Sequence, residues 1–162
     1  NSMNPQWPSL AGQNASYLER QLNAFKSNAR QNPLMGPQAM TLSDQDIADL
    51  AAYFSSQEIK GGTTNPELAP AGERLYRGGN LEANIAACAA CHGPTGKGNA
   101  AASYPALAGQ HSDYTIAQLK AYREGSRKTD SAMNQMMRGV AARMTDSEMA
   151  AVASYIQGLR SE

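Results

Sequence analysis

The chain repeats itself, and whatever unit it folds into must be built twice. Pro8-Ser9-Leu10-Ala11-Gly12-Gln13 returns as Pro105-Ala106-Leu107-Ala108-Gly109-Gln110. Tyr17, Gln21, Leu22, Ala24, Phe25, Lys26 and Arg30 return at the same spacing as Tyr114, Gln118, Leu119, Ala121, Tyr122, Arg123 and Arg127. Leu42-Ser43-Asp44-Gln45-Asp46-Ile47-Ala48 is answered by Met144-Thr145-Asp146-Ser147-Glu148-Met149-Ala150, and Tyr53 by Tyr155. The order of features is preserved throughout. The period is that of whole small domains, so the chain is a tandem duplication and not a solenoid of short units.

Each half reads as helical. Tyr17, Leu18, Gln21, Leu22 and Phe25 recur at three-to-four spacing, as one face of a helix, and Tyr114, Leu119 and Tyr122 repeat the pattern. Pro33 and Gly36 break the first half into a loop, and Gly125 starts the matching loop. Ser43 is an N-cap for the last helix of the first half, with Asp44 and Asp46 near the positive end of its dipole. Ile47, Leu50, Ala51 and Phe54 form its inner face. In the second half Thr145 is the cap and Glu148 completes a capping box, with Met149, Val152, Ala153 and Ile156 facing in. Residues 60–66 have the composition of a linker. Ala71 to Arg77 reads as a short helix, and no stretch alternates as a strand. The fold class is therefore all-α, in two units of 1–57 and 71–162 joined by 58–70.

Two units this small have thin cores, and only 6% of residues are aromatic, so an added apolar body would help both. Cys88-Ala89-Ala90-Cys91-His92 supplies one. Two cysteines three apart, with a histidine directly after the second, form the attachment signature of a c-type haem. The thiols add to the two porphyrin vinyl groups, and the histidine is held under the iron as an axial ligand. Its other ring nitrogen is then free to donate to a backbone carbonyl. A closed zinc site would need two more Cys or His ligands, but the chain has no other cysteine and only His111 besides. A thioredoxin-like pair needs a βαβ setting that is absent, and a plain disulfide is the remaining rival.

Net charge is zero, which gives no bulk case for nucleic acid or an anionic membrane surface. No apolar run approaches the roughly twenty residues of a membrane span. Haem attachment to this motif takes place outside the bacterial cytoplasm, so the expected location is the periplasm, reached with an export signal not in the given chain.

The repeat also serves as a ruler. A haem poised for electron transfer usually has a second strong ligand, often methionine. Met133, Met136 and Met137 all precede the last helix of the second half. Met137 lies seven residues before Met144, as Met35 lies seven before Leu42. Met137 is therefore chosen as the axial ligand and Met35 as its counterpart, whereas Met40, Met133 and Met136 have no partner. The same ruler puts a first-half haem motif about eight to ten residues before Asn1. The first half thus lacks its first helix and motif, either as a fragment of a two-haem protein or as a haemless domain.

These residues carry a resemblance. Cys88 to Gly93, Tyr104 to Gln110, Met137-Arg138-Gly139-Val140-Ala141-Ala142 and the closing Tyr155-Ile156-Gln157-Gly158-Leu159 closely resemble bacterial cytochrome c4. Leu42 to Asp46 and Ala51-Ala52-Tyr53-Phe54 look like the N-terminal domain of that family. The resemblance implies two class I cytochrome c domains, each with a His/Met haem, that shuttle electrons in the periplasm. It implies a membrane quinol-oxidising complex as donor and a terminal oxidase as acceptor. Cys88 and Cys91 would be the thioether sites, His92 and Met137 the axial pair, and Pro105 the residue whose carbonyl accepts from the proximal histidine. The cofactor is haem c, one in the given chain and two if a preceding segment exists, with Met35 then ligating the other.

Other polar residues are read more plainly. His111 stands where the first half has Asn14, as a polar turn or helix-start residue. Tyr114, Gln110 and Arg138 are placed to meet haem propionates, or in the case of Tyr114 simply to pack. Lys97, Lys120, Arg123, Arg127 and Lys128 give the second half a modest positive balance, taken as an ordinary solvated surface. The function read from the chain is outer-sphere electron transfer, not catalysis. The competing readings are a haem enzyme or sensor with an open axial position, and a docking module with a haemless first domain.

Overall fold

The computed structural model describes residues 1–160. Among these there are only helices, turns and two isolated antiparallel bridges, Asn80–Ile85 and Asn99–Tyr104. In the first half α1 (Ala15–Lys26) packs on α2 (Met35–Met40) and α3 (Asp44–Ser55). In the second, α4 (Ala69–Gly78) packs on α8 (Asp146–Gly158), and α6 (Ser112–Arg123) packs on α8 and on α7 (Met136–Ala141). The short α5 (Ala89–His92) carries the cysteine–histidine motif and touches α4.

The periodicity of the apolar residues explains the packing. Leu18 and Phe25 of α1 are buried, as are Ile47 and Ala51 of α3. In the second half Leu75, Tyr76, Ile85, Leu119, Tyr122, Ala141, Met144, Met149, Val152 and Ile156 form one contiguous core. Gly72 lets α4 lie close against α8, since a β-carbon there would run into the Ala151 carbonyl. Both terminal helices open on capping boxes. Thr145 Oγ1 accepts from the Glu148 N–H, while Glu148 accepts from the Thr145 N–H. Ser43 and Asp46 do the same for α3.

The stretch expected as a loop around Pro33 and Gly36 contains α2. Asn32 Oδ1 accepts from the N–H groups of both Leu34 and Met35 at 2.9 Å, which nucleates the turn. Pro37 falls in the first turn, where its missing N–H costs no helical bond. The linker, by its composition a flexible tether, is bonded along α8. Gly62 N–H donates to the Gln157 carbonyl at 2.9 Å, Gln157 Nε2 to the Thr63 carbonyl at 3.0 Å, and Asn65 N–H to Ser154 Oγ at 2.9 Å.

The two halves meet face to face through counterpart residues. Gln13 Nε2 donates to the Ala106 carbonyl at 2.9 Å, and its Oε1 accepts from the Ala106 N–H at 2.7 Å. Gln110 grips Ser9 in the same way, at 2.9 Å in both directions. Ser9 is the counterpart of Ala106 in the repeat, so an approximate twofold relates the two clamps. Arg30 donates to Gln21 of its own half at 2.8 Å, and to Gln118 and Tyr114 of the other at 2.8 and 3.1 Å. Arg127 mirrors it, donating to Gln118 at 2.8 Å, Gln21 at 3.2 Å and Tyr17 at 2.8 Å. Gln21 and Arg127 are buried, so removing a partner would leave groups desolvated and unpaired.

Candidate haem site

The motif is presented by a single turn. Cys88 stands at the start of α5, and its carbonyl accepts from the Cys91 and His92 N–H groups at 3.2 and 2.9 Å. The two cysteines are not joined in a disulfide. Cys88, with Ala89, packs against the edge of the second-half core. Burial, and then the neighbouring Cys91, push the Cys88 thiol up to about 11. Gly93 ends the turn with φ of 78°, and its carbonyl accepts from the Tyr76 hydroxyl at 2.7 Å. A buried tyrosine from α4 therefore pins the residue after the motif. Sequence reasoning missed this contact, because a helical tyrosine reads equally well as core.

His92 is 6% exposed, and its Nδ1 lies 2.9 Å from the Pro105 carbonyl. A carbonyl can only accept, so Nδ1 carries the proton and Nε2 presents its lone pair. Burial lowers the imidazole pKa, and the Pro105 bond partly opposes this. The ring is therefore neutral and ready to ligate. Pro105 is positioned by its own loop. Leu107 and Ala108 N–H groups donate to the Gly96 carbonyl at 2.7 and 3.1 Å, and Gly98 N–H donates to the His92 carbonyl at 2.8 Å.

The two adjacent methionines point to different places. Met137 is half-buried and packs against the same core as Cys88, Ala89 and Leu107. Met136 is exposed, with its sulfur 4.0 Å from the Tyr104 hydroxyl. Both begin α7, not a loop, and left-handed Asn134 and Gln135 precede it. Met35 opens α2 as Met137 sits in the first turn of α7, and it too is half-buried. Met40 is exposed, and Met133 Sδ lies 3.2 Å from an arginine of the other half.

The residues weighed as propionate partners are engaged elsewhere. Gln110 grips Ser9 and Tyr114 accepts from Arg30. Arg138 pairs with Asp130 at 2.8 Å. His111 precedes α6 but makes no side-chain cap; its Nε2 lies 2.9 Å from the Ser2 carbonyl. Among the described residues no three His, Cys, Asp or Glu side chains gather as a metal site.

Two unbridged cysteines on one helical turn, a neutral buried imidazole with one nitrogen tied back, and a half-buried thioether from a separate helix fit a covalently held haem. The comparisons agree. The cytochrome c family model matches residues 61–160. Cytochrome c4 of Thiocapsa roseopersicina is 49% identical over 98% of this chain and 82% of its own length. The chain belongs to the cytochrome c4 family. It is an electron-transfer haem protein of that family, with covalently bound haem c. The crystal structure of reduced recombinant cytochrome c4 from Pseudomonas stutzeri superposes with a TM-score of 0.95. It is 44% identical, covering 99% of this chain and 88% of that one. The chain is also 43% identical to a thiosulfate dehydrogenase electron acceptor of Stutzerimonas stutzeri, over 92% of this chain and 69% of that protein. No described helix is long and apolar enough to cross a membrane.

Proposed function

We propose that the chain is a periplasmic carrier of single electrons, not an enzyme, and that its second half holds haem c by these named residues. Cys88 and Cys91 form the thioethers, His92 Nε2 and Met137 Sδ are the axial ligands, and Pro105 fixes the histidine tautomer. The observation that supports this reading best is the pairing of His92 Nδ1 with the Pro105 carbonyl, together with a Met137 that packs on the same core as Cys88. When bound, the haem supplies one-electron exchange between ferric and ferrous iron. The protein residues keep the ligand set unchanged in both states and exclude water with an apolar surround, which sets the potential.

The unit boundaries proposed are 1–57 and 71–162 with 58–70 between them, and Met35 is the axial ligand of a first-half haem where a preceding segment supplies its motif. A membrane quinol-oxidising complex as donor and a terminal oxidase as acceptor follow from the family resemblance. The likeness to a thiosulfate dehydrogenase electron acceptor adds a dehydrogenase as a second class of donor.

Absorption spectroscopy tests the ligand set. The oxidised protein is expected to show a methionine–iron charge-transfer band, and the reduced protein a low-spin spectrum that resists carbon monoxide. A five-coordinate high-spin spectrum with rapid carbon monoxide binding would overturn it in favour of an open axial position.

A further inference from the structure

One interface residue breaks the approximate twofold. Tyr17, Gln21 and Arg30 recur as Tyr114, Gln118 and Arg127, but the counterpart of Arg20 is Ala117. An arginine needed only to join the halves would be expected to recur with the rest of the network. Arg20 reaches from α1 onto the second half. One terminal nitrogen donates to the Ser103 carbonyl at 2.9 Å, and the other lies 3.2 Å from Met133 Sδ.

Those two contacts fall on the two segments that carry the proposed haem-site residues Pro105 and Met137. Ser103 is two residues before Pro105, whose carbonyl holds His92. Met133 is four residues before Met137 and closes the 3₁₀ turn Ser131–Met133. That turn lies in a connection five residues longer than its first-half counterpart. The contact with Met133 therefore has no equivalent on the other side of the twofold. Two further bonds from the start of α1 seat it on the same loop: Asn14 Nδ2 to the Tyr104 carbonyl at 2.7 Å, and Ser16 Oγ to the Ala100 carbonyl at 3.0 Å.

The Arg20 guanidinium carbon lies 5.6 Å from the centroid of the Tyr17 ring. Among the described residues no carboxylate pairs with Arg20. Its Nε is buried without a hydrogen-bond partner, and a thioether is a weak acceptor. A half-buried cation disfavours further positive charge nearby, and ferric haem carries one more positive charge than ferrous.

We propose that Arg20 is a positioning residue acting across the interface: it ties together the two segments that carry these second-half haem-site residues and, through its fixed charge, raises the reduction potential. The proposal rests on the ligand assignment above. Its test is a pair of variants of the haem-loaded protein, Arg20→Gln and Arg20→Lys. Midpoint potential is read by spectroelectrochemistry, and ligand retention by the methionine–iron band against denaturant. Arg20→Gln is expected to shift the ferrous-to-ferric ratio at fixed potential about threefold to tenfold towards ferric; tenfold is about 59 mV for one electron. Arg20→Lys keeps the charge but loses the two-armed fork. It should hold a near-wild-type midpoint and lose the band at lower denaturant than wild type. An unchanged midpoint in Arg20→Gln, or an equal fall in both variants, overturns the electrostatic role. A lysine variant that matches wild type in both readouts overturns the tie. Absence of the band in the wild type itself would instead refute the ligand assignment.

Discussion

At His92 one carbonyl decides which ring nitrogen keeps its lone pair. Pro105 takes Nδ1–H, and Nε2 is left free to act as the proposed iron ligand. Across the site two neighbouring methionines are sorted by burial. Met137→Leu should abolish the methionine–iron band and open the iron to carbon monoxide. Met136→Leu should leave both unchanged, as read by absorption before and after the gas is added. A covalently bound haem was legible in the sequence because its attachment needs fixed residue types at fixed spacing. Met137 was singled out only by comparing halves. Tyr76 and Arg20 were not legible, since a buried tyrosine and an interface arginine look like ordinary core and surface until their partners are known.

At the level of elements, α8 is defined at its start by Thr145 and Glu148. Thr145→Ala should cost about 1 kcal/mol in chemical denaturation, the usual loss for a missing cap. The Thr145 N–H, then Asn80, hold the Glu148 carboxyl below its ordinary value. A carboxyl lowered on folding contributes stability above its unfolded pKa, roughly 4.3, and that contribution fades as pH falls through the lower folded value. Wild type should therefore lose stability below about pH 4 more steeply than Glu148→Gln, in acid titrations followed by circular dichroism. Apolar spacing and cap residues made α1, α3, α6 and α8 readable in advance. Helix α2 was hidden because Pro33, Gly36 and Pro37 argue against a helix locally, while the Asn32 side chain that starts it carries no periodic signal.

For the molecule as a whole, the duplication was plain in the sequence but the face-to-face pairing was not. A repeat shows that Gln13 and Gln110 are equivalent, not that each grips the other's half. Gln13→Ala strands the buried Ala106 N–H and carbonyl, and should lower stability by about 1–3 kcal/mol. With Gln110→Ala added, the halves should unfold in two steps, with haem absorbance and circular dichroism no longer coincident. The strapped linker bears on how strong this interface must be. Because residues 62–65 are already fixed to α8, the free tether is short, and a short tether sets an effective concentration on the order of millimolar. Separate pieces would need about 4 kcal/mol of association free energy to be half-paired at that concentration. A polar seam only about 1.4 kcal/mol stronger than that is therefore closed roughly ten times as often as open.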